Sequence, residues 1–119
     1  MPSAVVCDDD EVSRRILTGM LRDQGYEVIG EATMATEALQ LVAVTKPDVL
    51  VLDVSLPGMP GTEIVKDVRL RSPRTAVIMV SAFDVSEVEE NAIDHPDAVL
   101  TKTELADFDH VLSSVMARR

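Results

Sequence analysis

The stretch KPDVLVLDVSLPGMPG, Lys46 to Gly61, carries four apolar residues, Val49 to Leu52, straight onto an acid, Asp53, with a Leu-Pro-Gly turn close behind. A run this short, rich in valine and apolar at every position, predicts a strand buried on both faces rather than one face of an antiparallel sheet. Similar runs occur at Ala4 to Cys7, Val28 to Gly30, Ala76 to Val80 and Ala98 to Leu100, so five strands are expected.

Helical patterns fill the gaps. Val12 to Gln24 places Ile16, Leu17, Met20 and Leu21 on one face, with Gly25 as its stop. A second helix is expected near Thr36 to Val44, and a third from Thr62, turning Ile64, Val65 and Val68 inward and ending before Pro73. Ser86 and Glu89 have capping-box spacing for a short fourth. A fifth starts near Thr103 with Leu105, Phe108, Val111, Leu112 and Val115 as its core stripe. Strands that alternate with helices predict an α/β, doubly wound parallel sheet, whose ligands bind beyond the carboxyl ends of its strands.

The chain has 119 residues and 46% hydrophobic content, which suits one domain spanning residues 1–119 with no room for an output domain. A formal charge of -10 argues against direct binding to nucleic acid or an anionic membrane. No apolar run approaches the ~20 residues of a membrane span, and the amino terminus lacks signal-peptide features, so a cytoplasmic location is expected. The lone Cys7 is read as a buried thiol.

Polar residues gather at predicted strand ends: Asp8, Asp9, Asp10 and Glu11 after the first, Asp53 after the third, Ser81 after the fourth and Lys102 after the fifth. Taken singly, Asp53 reads equally as a turn cap, Lys102 as a surface amine and Ser81 as a hydroxyl bonded to backbone. Together they form a hard-oxygen set suited to Mg²⁺, with a fixed ammonium beside it. His95 and His110 lack metal-ligand spacing, and Arg14 and Arg15 read as solvated helix charge. Phe83 divides between rim of the site and packing on the sheet.

The pieces CDDDEVSRRIL, KPDVLVLDVSLPGMPGTEIV, VIMVSAF and LTKTE resemble the receiver domain of bacterial two-component response regulators, across nearly the whole chain. The resemblance implies a flavodoxin-like (β/α)5 fold with strand order 2-1-3-4-5. It implies Asp53 as phosphoacceptor, Mg²⁺ held by Asp8, Asp9, Asp53 and the Ser55 carbonyl, and phosphoryl contacts from Ser81 and Lys102. The expected function is a phosphorylation-controlled switch in a phosphorelay, charged by a histidine kinase, a phosphotransfer protein or a small phosphodonor. Such a domain catalyses only its own phosphorylation and dephosphorylation, passes its signal around the fourth helix to an output protein or domain, and leaves room for a phosphorylation-dependent dimer.

A pseudo-receiver, using the same fold for partner contact alone, is the alternative. An aspartyl-phosphate phosphatase would want an acid where Ser55 stands, and a flavodoxin-like electron carrier would want a Ser/Thr/Gly phosphate loop in place of the four acids. Departures from the receiver pattern are Val99 at an often aromatic position, Thr103 where many relatives have proline, and the absence of a Gly-rich turn in VEENAIDHPDAV. With valine at that position, the signal is expected to leave through backbone movement.

Overall fold

Two apolar clusters, one on each side of a single sheet, set the architecture. The computed structural model describes residues 1–53, 61–81 and 96–118. Its elements are β1 (Ser3–Cys7), α1 (Glu11–Asp23), β2 (Glu27–Ala32), α2 (Ala35–Thr45), β3 (Val49–Asp53), α3 (Gly61–Arg71), β4 (Ala76–Ser81), β5 (Ala98–Thr101) and, after a 3-10 segment over Lys102–Asp107, α4 (Phe108–Ala117). The sheet is five-stranded, its pairings all parallel, in the order β2-β1-β3-β4-β5, as expected.

Side chains alternate across each strand. Val5 and Cys7, Leu50 and Leu52, and Val77 and Met79 meet α2 and α3 through Ala38, Leu39, Val42, Ile64, Val65 and Val68. Val6, Val51, Ile78 and Val80 meet α1 and α4 through Leu17, Leu21, Phe108, Leu112 and Val115. Each central strand therefore needs apolar residues at every position, which explains runs such as VLVL. Burying a side chain like Phe108 or Leu50 is worth about 1.5–3 kcal/mol.

Element ends follow local chemistry. Asp10 caps α1, its Oδ2 accepting from the Ser13 N–H at 2.9 Å. Gly25, with φ +86°, turns the chain out of α1 in a conformation that L side chains rarely adopt. Lys46 ends α2 in the left-handed region at φ 46°, and its Nζ donates to the Arg71 carbonyl at 3.0 Å.

Two expectations are corrected. Ile16 does not join the inward face of α1: it is 47% exposed, and Thr18 is buried beside Leu17 and Leu21 instead, so the buried stripe is narrower than the apolar one. The last helix does not run unbroken from Thr103, because Lys102–Asp107 is wound as 3-10 and regular α geometry begins at Phe108. A non-helical Glu104 (φ -102°, ψ 15°) marks the kink. No cis peptide occurs among the described residues, in keeping with threonine after Lys102. The predicted fourth helix, with Ser86 and Glu89, lies outside the described residues, as do Ser55, Phe83 and His95.

Candidate functional site

Strand register builds the site. Cys7 of β1 pairs with Leu52 of β3, so the next residues, Asp8 just past β1 and Asp53 at the end of β3, lie side by side. Asp53 pairs with Val80, which puts Ser81 one position further along β4, and Ser81 pairs with Thr101 of β5, directly before Lys102. Four of the sequence-predicted residues thus share one edge.

The turn after β1 sorts the acids. The Asp8 N–H extends the ladder to the Ala32 carbonyl at 3.0 Å, and Asp8 Oδ1 accepts from the Asp10 N–H at 2.9 Å. That tight turn buries Asp8 completely, leaves Asp9 exposed and aims Asp10 at the end of α1. Glu11 faces outward and pairs with Arg15 at 2.9 Å. Of the four consecutive acids, Asp8 and Asp9 join Asp53, with one carboxylate oxygen from each lying within 4.8 Å of the others.

Lys102 supplies the opposing charge. Its Nζ stands 3.7 Å from Asp8 Oδ2 and 3.7 Å from Asp53 Oδ2, and it donates to Ser13 Oγ at 3.1 Å. Asp53 and Ser81 are almost wholly buried, at 1% and 3% exposure. Asp8 Oδ2 is buried with no hydrogen-bond partner among the described residues. Loss of hydration pushes the Asp8 carboxyl above its ordinary range, with the Asp53 charge adding to the rise and the Asp10 N–H and Lys102 opposing it. Burial likewise pushes the Cys7 thiol up to about 12, the nearby Asp8 and Asp53 charges contributing.

Two residues were not assigned a site role from the sequence. Arg14 donates from Nη1 to the Asp8 carbonyl at 2.9 Å and from Nε to Glu31 at 3.1 Å, tying the β1 turn to β2. Ser13 touches Lys102 from the first turn of α1. The available signal was position: a residue in the first turn after a strand-end acid faces back over the strand ends. The loop bearing Lys102 is held by Glu104, whose Oε1 accepts from the Thr101 N–H and hydroxyl, both at 2.9 Å. Val99, on β5, is partly buried against the cluster beneath α2 and α3. His110 is exposed.

This set can seat a cation beside the Asp53 carboxylate. Three hard oxygen donors, among them the buried Asp8 carboxylate whose Oδ2 accepts no hydrogen bond among the described residues, suit Mg²⁺, which prefers carboxylates and takes up phosphoryl oxygens. A fixed ammonium on the other side suits a phosphoryl dianion.

The sequence model of the response regulator receiver domain matches residues 4–112. A protein-glutamate methylesterase/protein-glutamine glutaminase of Halobacterium salinarum is 34% identical over 89 residues, 75% of this chain and 25% of that protein. The chemotaxis protein CheY of Thermotoga maritima is 33% identical over 79 residues, 66% of each chain. The receiver domain of AraT, a response regulator from Geobacillus stearothermophilus, superposes with a TM-score of 0.84 at 26% identity, covering 98% of this chain and 94% of that one. Against the methylesterase, this chain spans a quarter of the relative's length.

Proposed function

The chain belongs to the response regulator receiver domain family of two-component signalling, and from that premise we propose that it is a switch controlled by phosphorylation of Asp53. The observation that carries the reading is the convergence of Asp8, Asp9 and Asp53 within 4.8 Å, with Lys102 3.7 Å from two of them.

Asp53 is the nucleophile of this reading. Its carboxylate oxygen forms a bond to phosphorus while the donor's bond to phosphorus breaks, the electron pair leaving with the donor. Like charges repel in that approach, so positioning and neutralisation dominate the catalysis. Lys102 offsets charge on the incoming phosphoryl oxygens, and the Ser81 hydroxyl, beside it across the β4-β5 register, donates a hydrogen bond to them. Asp8 and Asp9, with Asp53 and the Ser55 carbonyl, would hold Mg²⁺, and the ion would supply charge neutralisation.

The donor is a histidine kinase, a phosphotransfer protein or a small phosphodonor such as acetyl phosphate. The output belongs to another protein or domain, and a cytoplasmic location follows from the same reading. A pseudo-receiver would have no use for Asp53 as an acceptor. Incubation with acetyl phosphate and Mg²⁺, read by intact mass, separates the two: one phosphoryl group on the wild type and none on Asp53→Asn support the switch, and an unmodified wild type contradicts it.

A further inference from the structure

The ammonium of Lys102 occupies an unusual position for a lysine between two carboxylates. Charge-assisted N–H···O contacts close to about 2.7–2.9 Å when nothing restrains them. Here both carboxylates stand at 3.7 Å, and the short contact is to a neutral oxygen, Ser13 Oγ at 3.1 Å. The Ser13 backbone is itself held, since its N–H donates to Asp10 Oδ2 in the cap of α1. A lysine carries three donors, and one of them is spent on this hydroxyl.

We propose that Ser13 is a positioning residue for phosphoryl transfer: its hydroxyl tethers Lys102 short of direct contact with Asp53, keeping the ammonium beside the nucleophile without capping it. This deepens the switch reading given above and rests on it. An ammonium collapsed onto Asp53 would compete for the electron pair that must form the bond to phosphorus. Held back by Ser13, the same charge stays where phosphoryl oxygens arrive. Ser13 gives up no proton in the step; Asp53 bonds to phosphorus and acetate departs from acetyl phosphate with the electron pair. The selectivity is chemical: an apolar side chain at this position offers Lys102 no acceptor, and the neighbouring carboxylates become its nearest partners.

The test uses Ser13→Ala and Ser13→Thr. Alanine keeps the backbone N–H that Asp10 accepts from, so the helix cap survives, and thermal melting checks the fold. With acetyl phosphate and Mg²⁺, Ser13→Ala should lower the maximal phosphorylation rate roughly three- to tenfold, the worth of about one hydrogen bond, at unchanged half-saturating donor. Ser13→Thr should restore it. A wild-type rate in Ser13→Ala, or a Ser13→Thr variant as slow as Ser13→Ala, overturns the proposal. The Lys102 Nζ resonance of the ligand-free protein gives a reading independent of phosphorylation. It should shift in Ser13→Ala and return in Ser13→Thr, and an unshifted signal in Ser13→Ala overturns the proposal whatever the rates. A wild type that takes no phosphoryl group sinks the switch reading, and the Nζ resonance then decides alone whether Ser13 positions Lys102.

Discussion

Asp8 and Asp53 follow a register pair, Cys7 and Leu52, and so emerge side by side from neighbouring strands, both buried. Two carboxylates in that relation repel each other, and Lys102, 3.7 Å from both, offsets that repulsion only in part.

The first expected consequence is that Asp8→Asn stabilises the metal-free protein. The carboxyl is pushed above its ordinary range despite the opposing pull of Lys102, so its surroundings favour a neutral group, and asparagine keeps the Oδ1 that accepts from Asp10. The gain should be on the order of 1 kcal/mol, or roughly 4 °C in melting temperature. Mg²⁺ at ~100-fold excess over its Kd should add about 2.7 kcal/mol to the wild type and much less to the variant. Thermal melts with and without Mg²⁺ at matched ionic strength check both. A variant less stable than wild type without metal would show that the Lys102 pairing outweighs the repulsion.

Glu104 holds the loop after β5 by accepting from Thr101, and those hydrogen bonds hold its carboxyl below the ordinary value of 4.5. A group whose folded pKa is lowered contributes stability above its unfolded pKa and loses it as pH falls through the folded one. Glu104→Gln should therefore melt slightly below wild type at pH 7, and the gap should close on acidification below the carboxylate range. A gap that stays constant with pH would mean that charge contributes nothing to this cap.

Cys7 is wholly buried beneath the site, with its thiol pushed up to about 12. The thiolate is the reactive form, so an aromatic disulfide reagent at pH 8 should label the folded protein no faster than it unfolds and react at once in denaturant. Fast labelling of the native state would contradict the burial.

The fold was legible because burial on both faces leaves a plain signature: VLVL and AVIMV can belong to few structures besides the centre of a parallel sheet. The shared edge of Asp8, Asp9, Asp53, Ser81 and Lys102 was legible because each lies within two residues of the end of an apolar run, and parallel strands bring those ends together. Ile16 misled because helical spacing shows which residues share a face and not how wide the covering surface is. Ser13 and Arg14 were opaque for a related reason. Their partners, Lys102 and the Asp8 carbonyl, depend on how a turn and a side chain come to rest, which periodicity does not encode.

The central claim is that Asp53 itself takes the phosphoryl group, and chemical trapping tests it at the residue. Borohydride reduces an aspartyl phosphate to homoserine and spares free carboxylates, so phosphorylation with acetyl phosphate and Mg²⁺, then reduction and peptide mass mapping, reads the acceptor directly. The prediction is homoserine at position 53 and at no other acid, the neighbouring Asp8 and Asp9 included. Homoserine at another position, or none after exhaustive treatment, would contradict it.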